Sequence, residues 1–155
     1  MEWTVARDLL DRKRHGRWGG AELVKTSILV VDPDEAICDL MADILIEEGW
    51  EVAKARSLTD VAELFSASDI DLVITEAFGQ SDLFDFDPFF LSGLRQVIGD
   101  TPVILSSTYP STDVMHAGDF GLAEVIPKPF EIDNLLGKIN RALGHCLAST
   151  VTAAN

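Results

Sequence analysis

The sequence predicts an α/β fold: a five-stranded parallel sheet with helices on both faces, a three-layer sandwich. Three observations predict it. From Ser27 onward, short β-branched runs alternate with amphipathic helical stretches. The connections between them are short, and parallel strands need crossovers of the kind helices supply. The length, 155 residues with 47% apolar side chains, suits one domain with a real core. A chain of roughly 150 residues buries about 68–70% of its unfolded surface.

The elements follow in order. Ser27–Asp32 (SILVVD) is a short apolar run ending in an acid, as in a strand buried on both faces. Ala36, Ile37, Leu40, Met41, Ile44 and Leu45 recur at helical spacing up to Gly49, a natural stop. Glu51–Ala55 reads as the second strand and Leu58–Ser66 as the second helix. Ile70–Thr75 (IDLVIT) is the third strand. A polar and aromatic stretch, Glu76–Asp87, precedes a helix from Pro88 to Ile98, where proline in the first turn costs little. Pro102–Ser106 is the fourth strand, Thr112–Phe120 a short weak helix, and Ala123–Ile126 the fifth strand. Ile132, Leu135, Leu136, Ile139, Ala142, Leu143 and Cys146 form the stripe of the last helix.

Charge divides the chain. Residues 1–26 hold six basic and four acidic residues, a net +2, whereas the remainder carries −16 of the total −14. This sets a basic N-terminal leader (1–26) apart from a main domain (27–147) and a small, polar, flexible tail (148–155). The leader presents Trp3, Trp18 and the Arg12–Arg17 cluster either as a docking segment or as a loosely ordered arm lying on the acidic domain. No apolar run approaches the roughly 18 residues of a membrane span, and no secretory signal follows the basic cluster. Cys38 and Cys146 fall in apolar helical patterns, which points to a reduced, cytoplasmic interior. The three histidines, His15, His116 and His145, show neither zinc-site spacing nor a nucleophilic triad. Strong acidity argues against nucleic acid as a direct ligand. Asp32-Pro33-Asp34-Glu35 would repel phosphate where a flavin or nucleotide binder needs a Gly/Ser/Thr-rich loop.

In open parallel sheets, ligand chemistry gathers at the carboxyl ends of the strands. There the first strand delivers Asp32 and Asp34, the third Glu76, the fourth Ser106, Ser107 and Thr108, and the fifth Lys128 before Pro129. The segments VVDPDEA, DLVITE, PVILSST and VIPKPF, in that order and spacing, resemble the receiver domain of two-component response regulators. The resemblance covers about Thr26–Leu143 and implies a flavodoxin-like fold and a role in phosphorelay signalling. It also implies a phosphoacceptor position at Glu76, phosphoryl-contact positions at Ser107 and Lys128, a cis-proline at Pro129 and a switch position at Val125.

Four departures accompany the match. The family's acceptor aspartate is Glu76, and the second acid of its pair is Pro33. The Met-Pro that follows the acceptor is absent, and the aromatic switch residue is Val125. Glutamate sets its carboxylate one methylene farther out, ~1.5 Å, and a misplacement near 1 Å costs on the order of a hundredfold in rate. Proline offers no side-chain ligand to Mg²⁺, which demands near-octahedral oxygen geometry. The longer Glu76 carboxylate is instead expected to approach Lys128, and Ser107 as well, where phosphoryl oxygens would sit.

Plainer readings stand beside these. Asp32 could cap the first helix with Pro33 at its first position, and Asp34 could do so one register later; alternatively both bind a metal. Phe78, Phe84, Phe86, Phe89 and Phe90, interleaved with Asp82, Asp85 and Asp87, form either a docking loop or satellite packing of the third helix. Together these observations predict a non-enzymatic, phosphorylation-independent interaction module that requires no cofactor, Mg²⁺ being the one candidate. Its partner would be a histidine kinase, a downstream signalling protein or a second copy, with no membrane insertion. The alternative is a phospho-switch using Glu76 or one of Asp82, Asp85 and Asp87. Only twelve residues follow Leu143, too few for a DNA-binding helix-turn-helix, so the chain acts by docking or is a piece of something longer.

Overall fold

The computed structural model describes residues 25–76, 88–107 and 116–153. Five strands form one parallel sheet: β1 (Ser27–Val31), β2 (Glu51–Ala55), β3 (Leu72–Thr75), β4 (Val103–Ser107) and β5 (Glu124–Pro127), in the order β2-β1-β3-β4-β5. Among the described residues four α-helices accompany them: α1 (Glu35–Glu47), α2 (Leu58–Ala67), α3 (Pro88–Ile98) and α4 (Ile132–Ala153). A 3₁₀ turn, Ala117–Phe120, precedes β5. This is the α/β sandwich that the alternating pattern predicts, with the flavodoxin-like strand order that the resemblance implies.

Strand alternation builds two cores. Ile28, Val30, Leu72, Ile74, Ile104 and Ile126 point to one face, where Cys38, Met41 and Leu45 of α1 and Leu135 and Ile139 of α4 cover them. Leu29, Val31, Val73, Val103, Leu105 and Val125 point to the other, under Val61 of α2 and Leu91, Leu94 and Ile98 of α3. A period of two in the strands thus feeds both faces, which is why the strands read as unbroken apolar runs.

Several boundaries differ from the sequence reading by a residue or two, and three differences have physical causes. α1 is capped by Asp34, not Asp32: Asp34 Oδ1 accepts the N–H groups of Ala36 (3.0 Å) and Ile37 (3.4 Å). Pro33 therefore lies outside the helix, because the Asp32 carboxylate is engaged elsewhere. Before β5 the described segment is a four-residue 3₁₀ turn, closed by Gly121 at φ 68°, a left-handed conformation that glycine adopts without strain. The remainder of the expected Thr112–Phe120 helix lies outside the described residues. α4 continues to Ala153, past the tail boundary drawn at Leu147, since no glycine or proline follows Gly144 to stop it. The leader through Val24, Phe78, Phe84, Phe86, Asp82, Asp85, Asp87 and Thr108 also lie outside the described residues. No described helix is long and apolar enough to cross a membrane.

Candidate functional site: the carboxyl edge of the sheet

The chain runs from β1 outward to β2 and then returns to the other side of β1 as β3, so the switch point lies between β1 and β3. The crevice above such a point is where open α/β sheets hold their chemistry. Asp32 leaves β1 there and Glu76 leaves β3. Backbone bonds fix both: Asp32 N–H donates to Ala55 O (3.1 Å) and Glu76 N–H to Val31 O (3.0 Å).

Lys128 arrives from β5. Its N–H donates to Ser107 O at 2.6 Å, and the Lys128–Pro129 peptide is cis. Its ammonium lies 2.8 Å from Asp32 Oδ2 and 3.7 Å from Glu76 Oε2. The three side chains are only 11%, 8% and 13% exposed, for Lys128, Asp32 and Glu76 respectively. The expected Glu76–Lys128 approach is present, but the shorter contact is to Asp32, a pairing the sequence reading did not anticipate. Two aspartates two residues apart carry no signal of which one faces inward.

The β1–α1 loop is held from both sides. Asp34 N–H donates to Asp32 Oδ1 at 2.9 Å, so both Asp32 oxygens have partners. On the outside, Arg56 Nε and Nη2 lie 3.4 and 3.3 Å from Pro33 O, and Nη1 is 3.6 Å from Glu35 Oε2. Beneath the loop, the buried Cys38 thiol donates to Asp32 O at 3.3 Å. Burial pushes that thiol above its ordinary value, and the negative charge of Asp32 adds to the rise.

The remaining described positions are distributed between this edge and the core. Ser106 and Ser107 end β4 and are buried; Ser106 Oγ has no hydrogen-bond partner among the described residues. Val125 is buried in the second core, and its carbonyl accepts a hydrogen bond from Lys138 Nζ. Its side chain is therefore packing, without a rotating polar tip. His116 is exposed and sits on the turn before β5 rather than in the crevice.

Asp32 and Asp34 make a poor divalent-cation site. Asp34 Oδ1 is turned to the α1 N-terminus, both Asp32 oxygens accept hydrogen bonds, and Pro33 offers no side-chain oxygen. Among the described residues no three His, Cys, Asp or Glu side chains converge to hold a metal ion.

Arg95 was missed by sequence reasoning. At the end of α3 its guanidinium donates to Gly99 O (3.2 Å), Thr101 O (2.7 Å) and Gly121 O (2.5 Å), tying the α3–β4 loop to the turn before β5. Partial burial lowers its affinity for the proton. An arginine in the last turn of a helix, next to unsatisfied carbonyls, was the available signal.

A sheet of order 2-1-3-4-5, with carboxylates following β1 and β3 and a lysine–proline step after β5, is the arrangement the resemblance to receiver domains implies. The family model for the response regulator receiver domain matches residues 28–140. The chain belongs to that family, the receiver domains of two-component response regulators. It is 29% identical over 119 residues to the DNA-binding transcriptional regulator NtrC of Rhizobium meliloti, covering 76% of this chain and 24% of that protein. It is 30% identical over 117 residues to the transcriptional regulatory protein YvcP of Bacillus subtilis, covering 75% and 48%. The chain thus spans half or less of the length of these curated relatives. Among solved structures, NtrX from Brucella abortus in complex with ATP superposes with a TM-score of 0.72 at 26% identity, over 83% of this chain and 29% of that one. A signal receiver domain of an HD domain-containing protein from Pseudomonas fluorescens Pf-5 has the same fold, with a TM-score of 0.66 at 24% identity over 81% and 91%.

Proposed function

We propose that this receiver domain works as a phosphorylation-independent protein-interaction module in two-component signalling. It is an atypical receiver in which Glu76 stands where the family's phosphoacceptor aspartate stands. The observation that carries this reading is the Lys128 ammonium, 2.8 Å from Asp32 and 3.7 Å from Glu76. Phosphoryl transfer depends on in-line placement of the attacking oxygen and on free positive charge to neutralise the equatorial oxygens. Here the carboxylate is one methylene longer, the cation already has two carboxylate neighbours, and Pro33 removes an oxygen ligand. All three act against the same step.

The module is non-enzymatic and requires no cofactor in this account. Its partner is a protein, either a histidine kinase or a downstream signalling protein, or a second copy of the chain. It acts in the cytoplasm without contacting nucleic acid through this domain. The ion pair supports the idea by holding the crevice in one arrangement without a phosphoryl group.

Intact mass after incubation with acetyl phosphate and Mg²⁺ tests this. The chain is expected to stay unmodified. A gain of one phosphoryl group refutes the reading, and peptide mapping would then distinguish Glu76 from Asp82, Asp85 and Asp87.

A further inference from the structure

We infer that the Lys128 ammonium is the resident cation of this crevice, serving between the carboxylates that end β1 and β3 in place of a divalent ion, so that the chain takes no Mg²⁺ there. Mg²⁺ takes about six oxygens in near-ideal octahedral geometry, several of them from water, and needs one or two protein carboxylates free to ligate it directly. The β1–α1 loop has few to give. Asp32 Oδ1 accepts from Asp34 N–H and Oδ2 from Lys128 Nζ. Asp34 Oδ1 caps α1, and the Pro33 carbonyl is turned outward to Arg56.

Charge balance points the same way. One ammonium between two carboxylates leaves a single net negative charge in a space where each partner is 13% exposed or less. Charges so shielded interact far more strongly than at the surface. A divalent ion entering would have to displace the ammonium and leave it buried beside two further positive charges. Carboxylates that are buried persist as ions only with a partner, and this chain supplies that partner itself.

The same ion pair carries the proposed function, and the inference rests on that reading. Its test reads metal binding and stability rather than phosphoryl gain, so the failure of one is distinguishable from the failure of the other. Thermal melts of the full chain in Mg²⁺ or Mn²⁺ are compared with melts in NaCl of equal ionic strength. The wild type is expected to show the same Tm in all three; a saturable rise with either divalent ion overturns the inference.

Lys128→Met is expected to lower Tm by roughly 6–20 °C, the scale of a broken buried pair in a domain this size. An unchanged Tm overturns the inference as well. Where Lys128→Met does not fold, the triple variant Asp32→Asn/Glu76→Gln/Lys128→Met decides. It is expected to recover a cooperative melt because neither shielded carboxylate charge is left without its cation, and a triple variant that stays unfolded contradicts the resident-cation role.

Discussion

Lys128 and Asp32, 96 residues apart in sequence, meet at 2.8 Å across the carboxyl edge of the sheet, with both side chains largely shielded from water. The contact joins the loop after β1 to the segment after β5, so it spans the sheet from its second strand to its outer edge. Glu76, at 3.7 Å from the same ammonium, is the secondary partner. That ranking governs what each substitution does.

Asp32→Ala removes the nearer carboxylate and leaves a shielded ammonium with only a longer contact. It is expected to cost about 3–5 kcal/mol, the range for breaking a buried pair from one side. Glu76→Gln keeps the Lys128–Asp32 bond and is expected to cost no more than about 1 kcal/mol. Urea titrations of both variants check the order, and equal losses would show that the two carboxylates share the lysine evenly.

Asp34→Ala separates the two aspartates of the β1–α1 loop. Its carboxylate serves the helix N-terminus, so the expected loss is about 1 kcal/mol, that of an N-cap. Asparagine at the same position retains the acceptor and should restore most of it. A metal-ligand role would instead appear as an effect seen only with Mg²⁺ present.

The sequence made most of this legible, for identifiable reasons. Runs such as LVV in β1 and the 3.6-residue stripe of α1 carry their own periodicity, so strand and helix identity follow directly. Lys128, Ser107 and Glu76 could be placed at one edge because parallel topology sends every strand's carboxyl end the same way. What was not legible is direction. Asp32 and Asp34 are the same residue type two positions apart, and only the folded loop decides that one faces Lys128 and the other the helix. Arg95 and Arg56 were harder to place, because most of their partners are backbone carbonyls, Pro33 and Gly121 among them, which carry no side-chain signature; only the helix-end position of Arg95 was a usable signal.

Arg95→Met removes three carbonyl contacts in one step. Hydrogen bonds to charged groups contribute about 1.5–3 kcal/mol, and one guanidinium shared among partly exposed carbonyls is expected to give a total in that range. Hydrogen exchange is expected to rise around Thr101 and Gly121 while β1 and β3 stay protected. A uniform rise across the sheet would contradict a local fastening role.

Cys38 gives a pH dependence of definite sign. Its thiol is raised above the ordinary value of 9.0, by burial first and by Asp32 second. The folded chain therefore keeps the proton at a pH where the unfolded chain releases it. The contribution is fully present below about pH 9 and is lost as pH rises through the folded-state value. In a Cys146→Ala background, alkylation of Cys38 should track global unfolding, and Cys38→Ala should flatten the alkaline decline in stability. Rapid labelling of the native chain would contradict the burial account.

The most direct test of a crevice held by its own lysine is the amide NMR spectrum of the full chain with and without Mg²⁺ and beryllofluoride, a phosphoryl mimic. The account predicts superimposable signals for Asp32, Glu76, Ser107, Val125 and Lys128. Saturable shifts at Glu76 and Lys128 that spread to Val125 would show a working phospho-switch, and would contradict it.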